Sequence, residues 1–171
     1  MPVSGTSGGR AGEFGSCLQN QLINRIEGES MSSLQKEQYI ELSVGAETCA
    51  IRIEEIHEII KMLSITDIPF SRPEIKGVVN LRGKVVCVMS LRNLLGMSDE
   101  PDTRATRIIV VRHQDEYIGL IVDRVNKVTT YSEIHPPTGG YGRNREGFFH
   151  GVGQQEDKLV GILKLDEILG G

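Results

Sequence analysis

The sequence predicts a mainly β fold: two small β-barrels, packed side by side, with short helices, that arose by an internal duplication. Three observations carry this prediction. Short apolar segments are separated by Gly-rich turns at regular spacing, aromatic residues make up only 5% of the chain, and one hairpin-like segment occurs twice. Closure into barrels also removes the unpaired edge strands that favour aggregation.

The segment that occurs twice is residues 75–96, IKGVVNLRGKVVCVMSLRNLLG. It predicts a β-hairpin whose turn is shaped by Asn80 and Gly83, because both residue types tolerate positive φ, followed by a short helix that ends at Gly96. The second strand of the hairpin is apolar on both faces. We therefore expect another barrel, a helix or a partner protein to cover the face that points away from its own barrel.

Two blocks of the first copy align with the second copy without gaps. Residues 77–96 align with residues 151–170 at an offset of 74, and residues 40–59 align with residues 109–128 at an offset of 69. The difference between the two offsets predicts a longer loop in the second copy. Two blocks repeated in the same order indicate duplication of one small β unit rather than chance similarity.

The order of elements follows from this repeat. In copy one, alternating apolar and polar residues predict a hairpin over residues 38–44 and 48–53, and each strand is expected to have one buried face. Residues 54–60 change period and fit a short helix or a bent strand. Copy two is expected to repeat these elements in residues 107–113, 117–122 and 123–128. A long loop over residues 129–150 is then expected before its own hairpin.

The domain boundaries follow from the same alignment. Residues 1–30 are rich in Gly and Ser, lack the β pattern, and are expected to be a tag or a disordered N-terminal segment. We expect one domain over residues 37–171, made of barrel copy one in 37–96, a linker in 97–105 and barrel copy two in 106–171. This division allows strands to be exchanged between the copies.

Composition argues against several classes of function. The net charge of −4 and the pI of about 5.6 disfavour a nucleic-acid-binding protein, and no apolar run is long enough for direct membrane insertion. Three cysteines without a C-x-x-C motif indicate a reducing compartment, with the cytoplasm as the expected location. The four histidines are scattered without ligand spacing, so we expect neither a metal nor a cofactor.

Arg82 differs from the other polar residues because it lies in a predicted tight turn at which copy two has Glu156. The two copies therefore share a scaffold but carry opposite charges at this turn. Opposite charges on equivalent turns favour distinct surfaces for distinct partners. Drift of the turn sequence without any function explains the difference equally well.

Residues 75–96 closely resemble the CheW family of chemotaxis coupling proteins. Three further segments are similar to the same family: YIELSVGAETCAIRIEEIHEI, YIGLIVDRVNKV and GVGQQEDKLVGILKLDEIL. The resemblance covers residues 37–169. The same motifs occur in the regulatory domain of the chemotaxis histidine kinase and in CheV-type adaptors, but the absence of a kinase or receiver domain here is expected of a stand-alone CheW-like protein.

The resemblance implies two SH3-like five-stranded barrels around a common core, and a non-enzymatic adaptor. Such a protein is expected to bridge the cytoplasmic tip of methyl-accepting chemoreceptors and the regulatory domain of the chemotaxis histidine kinase, in cytoplasmic arrays associated with the membrane. The receptor tip is expected in the groove between the barrels, and the kinase domain is expected on the barrel ends. We expect a monomer when the protein is isolated.

The resemblance also implies particular site residues. Positions that the family links to partner binding or signalling correspond here to Ile56, Glu58, Lys76, Gly77, Arg82, Val125 and Val128. Val125 and Val128 are the copy-two counterparts of Ile56 and Ile59. The chain departs from the family where Pro is frequent, at Cys87, and where Asp is frequent, at Ser90 and Lys164, which affects the expected surface after the hairpin.

Three other functions remain as alternatives. An adaptor of another chemosensory array, for pilus motility or biofilm control, carries the same motifs, and only the cognate receptor separates the two. An enzyme on a small barrel needs a cleft with convergent titratable groups, and none is evident. A binder of Pro-rich peptides needs an aromatic-lined groove, for which four Tyr and four Phe offer little.

Overall fold

Two β-sheets form the body of the protein. The computed structural model describes residues 36–137 and 147–170, so the predicted tag or disordered segment, residues 1–30, lies outside the described residues. The strands are β1 Tyr39–Val44, β2 Glu47–Arg52, β3 Ile56–Lys61, β4 Ile75–Leu81, β5 Lys84–Ser90, β6 Arg107–His113, β7 Glu116–Val122, β8 Arg124–Thr129, β9 Glu133–His135, β10 Phe149–Gln155 and β11 Lys158–Leu163. The helical elements are a 3-10 turn, Ile53–Glu55, and two short helices, α1 Leu91–Leu94 and α2 Leu165–Leu169. The prediction of a mainly β fold with short helices is confirmed.

Each sheet contains strands from both sequence copies. Sheet A has six strands in the order β8-β1-β2-β11-β10-β9, and sheet B has five in the order β3-β6-β7-β5-β4. Sheet A therefore joins β1 and β2 of copy one to strands of copy two, and sheet B joins β6 and β7 of copy two to strands of copy one. Residues 37–96 and 106–171 consequently do not each form a sheet of their own. The chain crosses from one sheet to the other between β2 and β3, and again between β7 and β8.

The strand registers of the two sheets are equivalent. β2 pairs with β11 in parallel, with Cys49 opposite Gly161, and β7 pairs with β5 in parallel, with Ile118 opposite Cys87. The offsets of 69 and 74 residues seen in the sequence relate these two pairs to each other. The protein is therefore pseudo-symmetric, and the two sheets are two versions of one strand arrangement.

The long loop predicted over residues 129–150 contains a strand that sequence reasoning missed. β9 pairs antiparallel with β10, with Ile134 opposite Gly153. Its counterpart in copy one is a single bridge between Thr66 and Val78. The three residues of β9 are too few to show an alternating pattern, and their strand conformation depends on the partner strand.

Among the described residues, three hydrophobic cores stabilise the two sheets. The largest takes buried side chains from both sheets, such as Leu42 of β1 and Ile109 of β6, and thus joins them. A second core, within sheet A, contains Tyr39, and a third, within sheet B, contains Val110. Each fully buried aliphatic side chain contributes about 1.5–3 kcal/mol of transfer free energy. The second barrel therefore covers the outer face of the apolar hairpin strand only toward Met89, which lies in the shared core, whereas Val85 at the turn end of the same face is 73% exposed.

The prediction that β1 has one buried face is wrong. Leu42 is fully buried, but on the opposite face Tyr39 and Glu41 are only 1% and 7% exposed. The ring of Tyr39 packs against that of Tyr131 with centroids 5.1 Å apart, in the core of sheet A. A strand between two packed layers has no solvated face, and polar residues such as Glu41 conceal this in the sequence.

The two short helices begin with different contacts. Ser90 is the N-cap of α1, and its hydroxyl accepts a hydrogen bond from the backbone N–H of Asn93 at 3.3 Å and donates one to Asp99 at 3.0 Å. Ser90 thus serves the capping function that Asp also serves at helix N-caps. Lys164, at the N-cap of α2, makes no side-chain capping bond, and its Nζ instead donates to Glu167 at 3.0 Å.

Candidate partner-binding surface

One end of sheet B carries an exposed ion pair. The guanidinium of Arg82 donates to both carboxylate oxygens of Glu58, at 2.8 and 3.2 Å. Glu58 lies on edge strand β3 and Arg82 lies in the turn of the other edge hairpin, so the pair joins the two edges of the sheet and indicates that the sheet curls upon itself. The side chain of Arg82 is 75% exposed and that of Glu58 only 13%. A partner at this end therefore meets mainly the positive charge of Arg82.

The β4–β5 turn holds Arg82 in this position. Arg82 and Gly83 have φ values of 52° and 84°, as in the two-residue turns that match the twist of a hairpin. The side-chain oxygen of Asn80 accepts a hydrogen bond from the backbone N–H of Gly83 at 2.8 Å. The turn is thus fixed by its own residues, and the Arg82 side chain projects from a defined backbone.

A cluster of aromatic and basic groups extends from Glu58 of this ion pair. The ring of His57 lies 4.5 Å from that of Tyr117, centroid to centroid, and Nζ of Lys84 lies 5.4 Å from the centroid of the Tyr117 ring. His57 Nε2 is also 3.9 Å from a carboxylate oxygen of Glu58. The end of sheet B therefore presents cations next to an aromatic surface, which suits a polar and reversible protein contact.

The equivalent end of sheet A carries the opposite charges. Lys127 stands at the position equivalent to Glu58, and Glu156, with a φ of 54°, at the position equivalent to Arg82. Nζ of Lys127 donates to the side-chain oxygen of Gln155 at 3.1 Å and lies 3.8 Å from Glu41. Glu156 is exposed at its turn. The fold thus presents two ends of equivalent backbone and reversed charge.

Ile56 and Val125 lie where the two sheets meet, which we call the sheet junction. Ile56 is the first residue of β3 and pairs with Val111, and Val125 of β8 pairs with Leu42. Both are partly exposed and pack against the core that the sheets share. Val128 lies further along β8 and is 36% exposed. The sheet junction is therefore an aliphatic margin of the shared core, available to an apolar partner.

Lys76 and Gly77 make contacts within the fold rather than forming an open surface. Gly77 is buried with a φ of 137°, and a Cβ there would lie 2.1 Å from the carbonyl oxygen of Thr66. The amine of Lys76 forms an ion pair with the carboxylate of Asp99. Gly77 thus allows the close approach of two backbone segments, and Lys76 helps to fasten the linker.

Asp99 binds the linker between the copies, residues 97–105, to residues of sheet B and α1. Its carboxylate accepts hydrogen bonds from the amine of Lys76, from the hydroxyl of Ser90 at 3.0 Å and from the side-chain amide of Asn93 at 3.1 Å. Partial burial alone raises the pKa of Asp99, but the hydrogen bonds from Lys76, Asn93 and Ser90 hold it below its ordinary value. The linker is therefore an ordered part of the domain.

Sequence reasoning missed three exposed apolar residues, of which Val85 follows the Arg82 turn of sheet B and Leu159 follows the equivalent turn of sheet A. Val85 and Leu159 are 73% and 65% exposed at equivalent positions of the two hairpins, and Phe70, in the β3–β4 loop, is fully exposed with a φ of 59°. The unbroken apolar run of β5 suggested burial of Val85. The signal that identifies Val85 is its position two residues after the charged turn, which its repeat partner Leu159 shares.

Grouped metal ligands and a membrane-spanning helix are both absent from the described part of the chain. Within residues 36–137 and 147–170, no group of three or more His, Cys, Asp or Glu side chains is placed to hold a metal ion. In the same ranges, no helix has the length and apolar character needed to cross a bilayer. Burial raises the pKa of the Cys87 thiol, which disfavours the nucleophilic thiolate.

Comparison with known proteins relates the fold to named relatives. The chain is 35% identical over 162 residues to the chemotaxis protein CheW of Helicobacter pylori, a match that covers 89% of this chain and 98% of that protein. It is also 35% identical over 107 residues to protein PilI of Pseudomonas aeruginosa, covering 60% of this chain and 58% of PilI. The match to the Helicobacter protein covers 89% of this chain, which is more residues than the range 38–171 contains. The similarity therefore extends into the segment before residue 38.

The fold has a solved relative, and a family model matches most of the chain. The crystal structure of the scaffolding protein TtCheW from Thermoanaerobacter tengcongensis aligns with a TM-score of 0.72 and 29% identity, covering 82% of this chain and 92% of that one. The family model described as the CheW-like domain matches residues 38–171. The exchanged strands, the two related hairpins and these matches place the chain in one family: it belongs to the CheW-like domain family.

Proposed function

We propose that this chain is a non-enzymatic adaptor that couples chemoreceptors to the chemotaxis histidine kinase, in cytoplasmic arrays that associate with the membrane. The observation that carries the proposal is the match of the CheW-like domain model to residues 38–171. The solved relative TtCheW is described as a scaffolding protein, which is consistent with binding rather than catalysis.

The regulatory domain of the kinase is proposed to bind at the end of sheet B around Arg82. The Arg82 side chain is 75% exposed, and Val85, at the base of the same turn, is 73% exposed. An exposed aliphatic side chain beside a cation suits a small contact in which apolar burial contributes affinity and charge contributes specificity. The barrel end of a domain with a similar fold is a natural counterpart for such a contact.

The receptor tip is proposed to bind at the sheet junction. Ile56 and Val125 are partly exposed there, on strands of different sheets, and Val128 extends the aliphatic surface along β8. An amphipathic helix that lays its apolar face into a groove makes contacts of this kind. The two proposed surfaces use different residues, so one molecule can hold both partners.

Both surfaces are tested by titrating the 15N-labelled chain with a purified receptor tip fragment and, separately, with a kinase regulatory domain. The kinase domain is expected to shift the amide signals of Glu58, Arg82 and Val85. The receptor fragment is expected to shift those of Ile56 and Val125. Failure to bind either partner would overturn the proposal.

A pair of charge-reversal variants tests the role of Arg82 in this titration. Arg82→Glu is expected to weaken binding of the kinase domain roughly tenfold or more, because like charges placed across a contact cost more than about 1.4 kcal/mol. Arg104→Glu is the control, since Arg104 is an exposed residue before β6, at the other end of sheet B. Equal effects of both variants would show that net charge, rather than the Arg82 site, governs binding.

A second candidate function is an adaptor of another chemosensory array. The observation that favours it is the similarity to PilI of Pseudomonas aeruginosa, at 35% identity over 107 residues. Parallel titrations with receptor tips from a chemotaxis array and from a pilus-motility array separate the two functions. Tighter binding of the second tip would favour the pilus-motility array.

A further inference from the structure

Asp123 lies at the point where the chain passes from sheet B to sheet A, between β7 and β8. Its carboxylate accepts two hydrogen bonds from the guanidinium of Arg92, at 2.8 and 2.5 Å, and one from the backbone N–H of Gly45, at 2.7 Å. Arg92 belongs to α1, which follows β5 of sheet B, and Gly45 lies in the β1–β2 turn of sheet A. One carboxylate thus connects elements of both sheets.

This contact is stronger than an ordinary surface ion pair. The side chain of Arg92 is only 14% exposed and that of Asp123 33%, and the bidentate geometry is the one that charge-assisted pairs favour. The hydrogen bonds from Arg92, together with that from Gly45, hold the pKa of Asp123 below its ordinary value despite partial burial. The backbone N–H of Asp123 also donates to the carbonyl oxygen of Ser43 at 3.1 Å. The crossing is therefore held by both its side chain and its backbone.

The pseudo-symmetric crossing, between β2 and β3, does not repeat this contact. Glu54 stands at the position equivalent to Asp123, and Asp166 at the position equivalent to Arg92, so that two acids replace the ion pair. The side chain of Glu54 is 71% exposed and lies 3.9 Å from Arg52. Asp166 instead faces His113 at 3.3 Å. The equivalent strand crossing thus forms without such an ion pair, and the Arg92–Asp123 contact distinguishes one crossing from the other.

We infer that Arg92 and Asp123 are positioning residues that hold the two sheets at one fixed angle and thereby set the sheet junction for the receptor tip. Asp123 directly precedes β8, the strand that carries Val125 and Val128. We therefore expect a change at Asp123 to move these side chains relative to Ile56 on the other sheet, whereas the Arg82 end lies entirely within sheet B. The inference rests on the proposed function for its receptor-binding part only.

Two variants test the inference in the full chain. Asp123→Asn removes the charge and keeps the shape, and Arg92→Lys keeps the charge and removes the bidentate geometry. Residual dipolar couplings of amides in β1 and β2, compared with those in β6 and β7, report the relative orientation of the sheets. One alignment frame is expected to fit both sheets of the wild type and to fail for either variant. We also expect receptor-tip affinity to fall about tenfold, and kinase-domain affinity to change less than about twofold.

Glu54→Gln is the control, because it removes the equivalent carboxylate from the crossing that lacks the contact. It is expected to leave the dipolar couplings and both affinities unchanged. The inference would be overturned if one alignment frame fitted both sheets of folded Arg92→Lys, or if the affinities for both partners fell equally. Should Asp123→Asn fail to fold, Arg92→Lys alone provides the test. Failure of the wild type to bind a receptor tip contradicts the proposed function, while the dipolar couplings still decide whether the contact fixes the sheets.

Discussion

Gly77 and Gly83 belong to one hairpin but are glycine for different reasons. Gly77 is buried, and a Cβ there would lie 2.1 Å from a backbone oxygen of Thr66, which cannot move without breaking the bridge between Thr66 and Val78. Gly83 has a φ of 84°, and a Cβ there would meet nothing within 4 Å. Packing and backbone geometry together therefore require glycine at position 77, whereas backbone geometry alone favours glycine at position 83.

Substitution by alanine is expected to separate these two roles. Gly77→Ala should lower the free energy of unfolding by about 3 kcal/mol or more, because a backbone clash adds to the strain of the left-handed region. Gly83→Ala should lower it by about 1 kcal/mol, the cost of the strained φ alone. Urea unfolding of both variants measures the difference. Equal losses would show that the approach of Thr66 to Gly77 does not constrain the fold.

Glu55 is expected to make the stability of the protein depend on pH, with its ionised form destabilising the fold. Its Oε2 is buried without a hydrogen-bond partner among the described residues, and burial raises the pKa of its carboxyl, with Arg52 opposing the shift and Asp166 and Glu54 adding to it. The folded protein therefore takes up this proton before the unfolded chain does as the pH falls, so ionised Glu55 costs stability at neutral pH.

We expect Glu55→Gln to stabilise the protein near neutral pH and to lose that advantage as the pH falls toward the unfolded value of about 4.3. Urea unfolding of wild type and variant across this pH range measures the effect. A gain that is independent of pH would show that packing, rather than the charge of Glu55, accounts for the difference.

The N-terminus of helix α2 lacks the side-chain capping hydrogen bond that α1 has. Lys164 occupies the N-cap of α2 without a capping bond, and Glu167 occupies the third helical position. Lys164→Ser creates the Ser-x-x-Glu capping box, which should raise the free energy of unfolding by about 1 kcal/mol relative to Lys164→Ala. The Ala variant removes the Lys164–Glu167 contact equally and is the control. Equal stabilities of the Ser and Ala variants would contradict a role for capping in this short helix.

The elements that sequence reasoning predicted are those with a strong local pattern. The hairpin of β4 and β5 was predicted because its turn residues and apolar strands lie together in the sequence, and the duplication was predicted because its offsets are constant. β9 and the pairing of β2 with β11 could not be assigned in the same way. They depend on contacts between residues far apart in the chain, about which local alternation carries no information.

At the scale of the whole molecule, duplication produced two equivalent ends with opposite charges. Glu58 and Arg82 form an ion pair at one end, and Lys127 and Glu156 stand at the equivalent positions of the other. The double variant Glu58→Arg with Arg82→Glu imposes the second charge pattern on the first end. It preserves an ion pair, so its stability should stay within about 1 kcal/mol of the wild type.

Binding of the kinase regulatory domain should nevertheless remain weak in this double variant, since the charge that meets the partner is reversed. Isothermal titration calorimetry measures this. Recovery of wild-type affinity would show that Arg82 acts by joining the edges of sheet B, with its exposed charge playing no part in the contact.

The candidate site was predicted unevenly. Arg82 was identified by the charge reversal between the two copies and by resemblance, and Glu58 by resemblance. Their mutual contact could not be foreseen because it depends on the curl of sheet B. Lys76 and Gly77 came from the same resemblance, yet their contacts with Asp99 and Thr66 lie within the fold. Sequence motifs thus selected these residues, whereas the distinction between exposed and structural residues required the packing.

We propose that one molecule of this chain holds a receptor and the kinase together. Sedimentation velocity of a fluorescent kinase regulatory domain, mixed with a receptor tip fragment with and without this chain, measures whether it does. Adding the chain is expected to move the kinase domain into a faster-sedimenting ternary complex, and Arg82→Glu is expected to abolish this complex while Arg104→Glu is not. Binary complexes only would show that the two partners compete for one binding surface and cannot be held together.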